Sequence, residues 1–114
     1  MDKLHTVKKN EEFAYIIHNS KFVKNRSYTI YYKDNGKDFY RFGISISKKL
    51  GKAVYRNKYK RQLRFIIDKY KKNYQNGMDY IIIIRNGYVD LDFASKDLDF
   101  KELFDKITQN NKEK

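Results

Sequence analysis

Three residue types are missing from this sequence: it contains no cysteine, no proline and no tryptophan. The lack of cysteine excludes a disulfide framework and thiolate metal sites, and leaves only His5 and His18 as imidazole ligands. A metal site on the protein is therefore not expected. Without tryptophan, the 11 tyrosines and 8 phenylalanines must supply both the core and any surface on which a ligand could stack.

Long apolar segments are missing as well. The longest apolar run, residues 80–84, is far too short to span a bilayer or to act as a secretory segment. We therefore expect a cytoplasmic protein with no membrane partner. A chain of 114 residues should form a single domain, 1–114, around one core. Its polar end, residues 110–114, is expected to be a disordered tail.

The charge of the chain is strongly positive and unevenly distributed. Lysine and arginine number 26 against 14 acidic residues, giving a net charge of +12, which indicates an anionic partner such as a nucleic acid. Residues 48–64 contain no acidic residue and eight basic ones: Lys48, Lys49, Lys52, Arg56, Lys58, Lys60, Arg61 and Arg64. Acidic residues dominate 90–105 instead, and we expect that segment to face solvent, away from the polyanion.

The first half of the chain shows a helix followed by alternating strands. Asn10, followed by two glutamates, suits a helix start, and we predict the first helix at about 10–19. A short extended piece lies around Phe22. Residues 27–33 and 39–47 alternate in the manner of strands with one core face, and the Asp34-Asn35-Gly36 turn between them predicts a hairpin.

The second half predicts two helices around a buried strand. Apolar residues recur at the 3.6-residue period from about 54 to 74, where Asn76-Gly77 would end the helix. The isoleucine-rich run at 79–85 fits a strand that is buried on both faces, and a last helix contains Phe100, Leu103, Phe104 and Ile107. The predicted fold is a single-domain α+β two-layer sandwich with the order αβββαβα.

One helix face carries the most specific functional signal. Asn57, Lys60, Arg61 and Arg64 are spaced i, i+3, i+4 and i+7, so they share a face beside the apolar stripe, and Arg56 lies in the first turn. Guanidinium groups donate paired hydrogen bonds to phosphate oxygens, and asparagine can bind a base edge or a sugar. Solvated helix faces usually interleave both signs of charge, so this face indicates RNA binding.

The motif around this helix resembles the signature of bacterial ribonuclease P proteins. Gly43-Ile44-Ser45-Ile46-Ser47-Lys48-Lys49-Leu50-Gly51 is followed by Ala53-Val54, Arg56-Asn57, Lys60-Arg61 and Arg64, which together resemble the family's RNR motif. The resemblance implies a non-catalytic protein that assists a catalytic RNA, with Mg²⁺ held mainly by the RNA subunit and the substrate. It also implies a left-handed βαβ crossover, although generic chirality rules predict the opposite hand.

The resemblance assigns roles to particular residues. The implied function is endonucleolytic removal of the 5′ leader of precursor tRNA, with the ribonuclease P RNA and precursor tRNA as partners and no role for DNA. The implied RNA-binding residues are Lys48, Lys49, Lys52, Arg56, Asn57, Lys60, Arg61 and Arg64. By position, the leader would lie in a cleft lined by Phe13, Ile17 and Tyr31. Tyr31 is the strongest stacking candidate, because its strand face is opposite the expected core face. Phe13 could equally be a buried helix residue, and Ile17 is the weakest stacking candidate of the three.

Other classes of function fit the sequence less well. A ribosomal-type structural RNA-binding protein would share the charge and size, but it does not explain the full motif. An autonomous nuclease would need clustered carboxylates or a histidine base beside the basic helix, and the aspartates lie elsewhere in the sequence. Gly51-Lys52 lacks the rest of a phosphate-binding loop, and no helix-turn-helix for DNA is evident.

Overall fold

The structure is a computed structural model that describes residues 10–112, so His5 and the last two residues lie outside the described part. It consists of a four-stranded sheet and three helices in the order αβββαβα, as predicted. The elements are α1 (Asn10–His18), β1 (Lys21–Lys24), β2 (Tyr28–Asp34), β3 (Arg41–Ser45), α2 (Ala53–Lys69), β4 (Met78–Ile84) and α3 (Phe93–Lys112). No helix within residues 10–112 is long and apolar enough to cross a membrane.

The sheet order is β1-β2-β4-β3, so the predicted hairpin between β2 and β3 is wrong. The turn does reverse the chain, and Gly36 has the expected positive φ of 70°. However, β4 lies between the two strands, antiparallel to β2 and parallel to β3. A strand that is apolar on both faces is best buried at the centre of a sheet, where both neighbours cover it. The β3–α2–β4 connection is therefore a parallel crossover, whose left hand stays a prediction.

The main core lies between one sheet face and the helices α2 and α3. The alternating residues Tyr28, Ile30 and Tyr32 of β2 and Tyr80, Ile82 and Ile84 of β4 pack there against both helices. The other residues of β4, Ile81 and Ile83, belong to a second cluster with Ile16 of α1. The predicted sandwich is thus supplemented by a partial third layer, because α1 covers part of the opposite sheet face.

The helix α2 ends at Lys69, five residues before its predicted end. Its buried stripe consists of Tyr59, Leu63, Ile66 and Ile67, which recur at the predicted helical period. Tyr74 lies beyond the helix, but its hydroxyl donates a 2.6 Å hydrogen bond to the Ile67 carbonyl. This bond satisfies one of the carbonyls that the helix end leaves free, so the aromatic residues continue the core without continuing the helix.

The last helix is longer at both ends than the apolar pattern predicts. It begins at Phe93, where Asp92 accepts a 2.8 Å hydrogen bond from the backbone nitrogen of Ser95 and caps the first turn. It continues to Lys112, and the disordered tail expected at 110–114 stays a prediction. The Asn110 amide donates a 3.1 Å hydrogen bond to the Tyr32 hydroxyl, which attaches this end of α3 to the sheet.

The prediction that residues 90–105 simply face solvent is also wrong in part. Asp97 and Asp99 are buried, with exposed fractions of 7% and 8%. Asp97 pairs with Lys69 at 2.8 Å, and Asp99 accepts a 3.0 Å hydrogen bond from Arg26. Burial of a carboxylate is costly unless it is paired, so these contacts explain why the two aspartates lie inside the fold.

Candidate nucleic-acid interface

The exposed side of α2 carries the residues predicted to bind RNA. We call this set, Asn57, Lys60, Arg61 and Arg64, the basic face; all four are exposed, and their face lies beside the buried stripe. Their side chains form no ion pair or hydrogen bond with any residue in 10–112. The structure therefore brings the predicted residues together and leaves their donors available to a ligand.

Arg56 differs from the basic face in being half-buried. Its Nε is enclosed, yet it finds no acceptor among the described residues. A guanidinium N–H out of contact with water normally has a hydrogen-bond partner. An anion bound beside the first turn of α2 could supply that acceptor.

Three further lysines are presented by the turn that precedes α2. Lys48 and Lys49 lie in a short 3₁₀ helix that Ser47 caps, since its hydroxyl accepts a 3.2 Å hydrogen bond from the Lys49 backbone nitrogen. Gly51 ends this turn with a φ of 136°, a conformation that favours glycine. Lys48, Lys49 and Lys52 are all exposed, so the cationic surface extends beyond the helix.

One lysine of the neighbouring helix α3 is drawn inward behind α2. The Lys96 ammonium lies 4.3 Å from the centre of the Tyr88 ring and 3.2 Å from the Gln62 side-chain oxygen. Burial lowers the pKa of Lys96, and the nearby charge of Lys58 lowers it further. Lys96 thus connects α2 to α3, a role that its position among acidic residues in the sequence did not suggest.

The second candidate surface is the groove between α1 and the sheet. Phe13, Ile17 and Tyr31, the residues predicted to line a cleft, all pack around Ile16 and Ile81 and remain partly exposed. The structure therefore brings these three together on the side of the sheet opposite α2. Their role as leader contacts stays a prediction.

Gly43 shows that Phe13 is also a packing residue. A Cβ atom at position 43 would lie 2.7 Å from the Cζ of Phe13, closer than such contacts occur. Glycine in β3 therefore makes room for the ring to lie directly on the sheet. Phe13 is therefore a packing residue that is only partly buried, and its role as a leader contact stays a prediction.

Phe22 is a groove residue that the analysis of the sequence missed. It is 53% exposed, it pairs with Tyr31 across the β1–β2 ladder, and the two ring centres are 5.6 Å apart. The alternation of side chains along β1 indicates this position for Phe22, because the next residue, Val23, packs on the main core. Its neighbour must then point to the other face, on the same side as Tyr31.

At one end of the groove lies an open pocket of 320 Å³ with mixed charge. Arg41 pairs with the buried carboxylate of Asp79 through two hydrogen bonds of 2.7 and 2.8 Å, and Asn35 donates a third. Burial alone would raise the pKa of Asp79, but these hydrogen bonds and the charge of Arg41 together hold it below its usual value. Beside this pair, the Lys33 ammonium lies 5.0 Å from the Tyr15 ring.

A protein-bound metal ion would need several ligand side chains close together. Within 10–112, no three His, Asp or Glu side chains are grouped so that they could hold a metal ion. This part of the chain therefore provides no preformed group of three or more such ligands.

Comparison with known proteins identifies the family. The family described as Ribonuclease P matches residues 1–108 of this chain. The chain belongs to the ribonuclease P protein family. Among curated relatives, the ribonuclease P protein component of Mycoplasma capricolum is 41% identical over 99 residues, covering 83% of this chain and 88% of the relative. That of Geobacillus kaustophilus is 38% identical, covering 82% and 78% of the two chains.

Solved structures of family members share the fold. The Staphylococcus aureus RNase P protein superposes with a TM-score of 0.84 at 33% identity, covering 92% of this chain and 96% of that one. The Thermotoga maritima RNase P protein gives a TM-score of 0.82 at 27% identity, covering 90% and 96%. Membership of the family, which the motif at 43–64 predicts, is confirmed. The roles of individual residues in RNA binding stay predictions.

Proposed function

We propose that this chain is the protein subunit of a bacterial ribonuclease P, which binds a catalytic RNA and the 5′ leader of precursor tRNA. It would assist the endonucleolytic removal of the leader that produces the mature 5′ end of tRNA. The observation that carries the proposal is the basic face of α2, whose cations lack any acidic partner in the described part of the chain. A compact set of free cations favours a polyanion, because binding releases its counterions.

The presence of two separate surfaces supports the proposal that the protein holds two RNA segments at once. The basic face lies on α2, whereas the groove with Tyr31 and Phe22 lies on the other side of the sheet. Unpaired bases stack on exposed aromatic rings, each stacked base contributing about 1–3 kcal/mol. We assign the groove to the single-stranded leader, with Phe13, Ile17 and Tyr31 as contacts, and the basic face with Lys48, Lys49, Lys52 and Arg56 to RNA binding.

The chemistry of cleavage is assigned to the RNA partner. Mg²⁺ ions would be held mainly by the RNA subunit and the substrate, since the described residues offer no grouped ligands. The protein would position the RNA and the substrate, because its cations reduce the repulsion between phosphates that lie close together. A cytoplasmic location agrees with this role and stays a prediction.

The test is cleavage of a labelled precursor tRNA at low Mg²⁺ by the ribonuclease P RNA of the same source organism. Three reactions are compared: RNA alone, protein alone, and both together. We expect cleavage at the mature 5′ end only with both. A matched pair of variants, Arg61→Ala on the basic face and Lys101→Ala on α3, separates a specific effect from loss of one positive charge.

Two results would contradict the proposal. If the protein binds the RNA but does not stimulate cleavage, the ribosomal-type structural RNA-binding protein becomes the better interpretation. If the protein cleaves without RNA, the assignment of the chemistry to the RNA is wrong.

A further inference from the structure

Two phenylalanine rings are exposed side by side where α2 meets the start of α3. Phe65 is 62% exposed and Phe93 is 39% exposed, and their ring centres are 5.8 Å apart at an angle of 62°. Phe42, Phe100 and Phe104, in contrast, lie in the main core. Exposed apolar rings in contact indicate a surface that a partner covers, because leaving them in water forfeits the free energy of burial.

The two helices that carry these rings are joined by polar contacts on both sides of Phe65. Gln62 binds the Lys96 ammonium at 3.2 Å, and Lys69 pairs with Asp97 at 2.8 Å, so two polar links between α2 and α3 bracket Phe65. Phe93 is fixed at the first turn of α3 by the Asp92 cap. Because α2 and α3 are already joined on both sides of the rings, little rearrangement of the helices is needed to form a binding surface.

The surroundings of Phe65 indicate the class of ligand. Arg61, Arg64 and Phe65 share one side of α2, and with Asp68 they line an open pocket of 360 Å³. Neither arginine has a partner among residues 10–112. Two free guanidinium groups next to an exposed ring match a nucleotide, which offers a phosphate and an aromatic base a short distance apart.

We propose that Phe65 and Phe93 form a stacking platform for an unpaired nucleobase of the ribonuclease P RNA, while Arg61 and Arg64 bind the adjoining phosphates. The proposal rests on the proposed function. The RNA subunit, rather than the leader, is the occupant, because the groove assigned to the leader lies on the opposite side of the sheet. The carboxylate of Asp68 would repel phosphate, which places the backbone at the arginine end of the pocket.

The test compares variants of Phe65 in binding to the RNA subunit alone, without precursor tRNA, over a range of salt concentrations. We expect Phe65→Ala and Phe65→Leu to weaken binding roughly tenfold, and Phe65→Tyr to bind like the natural protein. The salt slope should stay unchanged in all three, because no phosphate contact is lost. Arg64→Ala should instead lower the slope by roughly one. Phe93→Ala should weaken binding less, since Phe93 is the less exposed ring.

Leu98→Ala is the control, because Leu98 is an exposed apolar residue of α3 with an exposed fraction of 65%. It should leave RNA binding unchanged, and melting curves should show that every variant is folded. If Phe65→Leu binds as tightly as the natural protein, the ring does not stack and the platform is overturned. If Phe65→Ala changes only self-association of the protein, the surface pairs with a second copy and the proposal is again overturned. If the natural protein does not bind the RNA at all, the proposed function itself fails.

Discussion

The long helix α2 and the acidic segment 90–105 carry opposite charges and use them in opposite ways. The cations of the basic face are exposed and have no partner among the described residues. Two carboxylates of the acidic segment point inward instead: Asp97 binds Lys69 of α2, and Asp99 binds Arg26 in the turn before β2. One region keeps its charge available, whereas the other uses part of its charge to join elements of the fold.

This difference explains why the net charge of +12 produces a positive potential that is concentrated on one surface. Because Asp97 and Asp99 pair with Lys69 and Arg26, which lie outside the basic face, they do little to neutralise that face. The positive field is therefore concentrated on the surface that includes the basic face and the lysines before it. We therefore expect substitutions in the two regions to have different effects. Those at the buried carboxylates of the acidic segment should alter stability, and those in the basic face should alter RNA binding.

The largest expected effect is loss of stability on replacing Asp99. Its carboxylate accepts a buried hydrogen bond from the Ser27 hydroxyl, and Ser27 is fully buried. Asp99→Ala leaves that hydroxyl without its acceptor, which should lower the free energy of unfolding by about 2 kcal/mol. Urea unfolding at neutral pH measures the loss, and RNA affinity measured well below the melting temperature should be unchanged.

Asp105→Ala is the matched control for this experiment. Asp105 belongs to the same acidic segment but is exposed, and it pairs with Lys101 one helical turn away. Its loss should change stability by less than about 0.5 kcal/mol. Equal losses in the two variants would show that Asp99 acts through general charge and not through its buried contact.

The second effect is on RNA affinity, from the double variant Arg61→Ala with Arg64→Ala. Loss of two phosphate contacts should weaken binding about tenfold and reduce the salt slope by roughly 1.5 to 2. Stability should change by less than about 0.5 kcal/mol, because neither side chain has a partner among the described residues. Filter binding at several salt concentrations, together with thermal unfolding, gives both quantities.

The control for the loss of two positive charges is Lys101→Ala with Lys106→Ala on α3. Both lysines are exposed and pair with acidic residues one turn away, Asp105 and Glu102. This variant should bind RNA like the natural protein. Unchanged RNA binding with a collapsed fold in the arginine variant would show that the basic face is structural.

The elements and faces of this fold could be predicted from the sequence because they depend on local periodicity. Alternation assigns Tyr31 to one sheet face and its neighbours to the other, and spacing alone places Arg61 and Arg64 on one side of α2. The buried stripe of α2 and the burial of β4 on both faces follow in the same way. For such features, the positions of nearby residues suffice.

The pairing of distant elements could not be predicted, because it depends on competition between distant partners. The turn at Gly36 indicates a reversal of the chain. However, β2 and β3 do not pair, because β4 is buried on both faces and lies between them. Similarly, the contact between Arg26 and Asp99 joins residues 73 positions apart. No local pattern distinguishes Asp99, which is buried, from Asp105, which is exposed.

The smallest expected effect is a pH dependence that sharpens the contrast between paired carboxylates and free cations. Arginine stays protonated at every pH at which this fold would be studied, so acid does not alter its charge. The pKa of Asp79 is held below its usual value in the folded protein, chiefly by Arg41 and Asn35 working against burial. The stability that this pair contributes is therefore complete above about pH 4 and is lost as pH falls through the folded pKa.

Asp79→Asn isolates this contribution, because it removes the titrating group and keeps the size of the side chain. The variant should be less stable at pH 7, since an amide cannot receive both hydrogen bonds from Arg41. Its stability should then fall less steeply than that of the natural protein as the pH decreases below about 4. Asp105→Asn, at an exposed site, should keep the natural slope. Parallel slopes for the natural protein and Asp79→Asn would show that acid acts through other carboxylates and not through this buried pair.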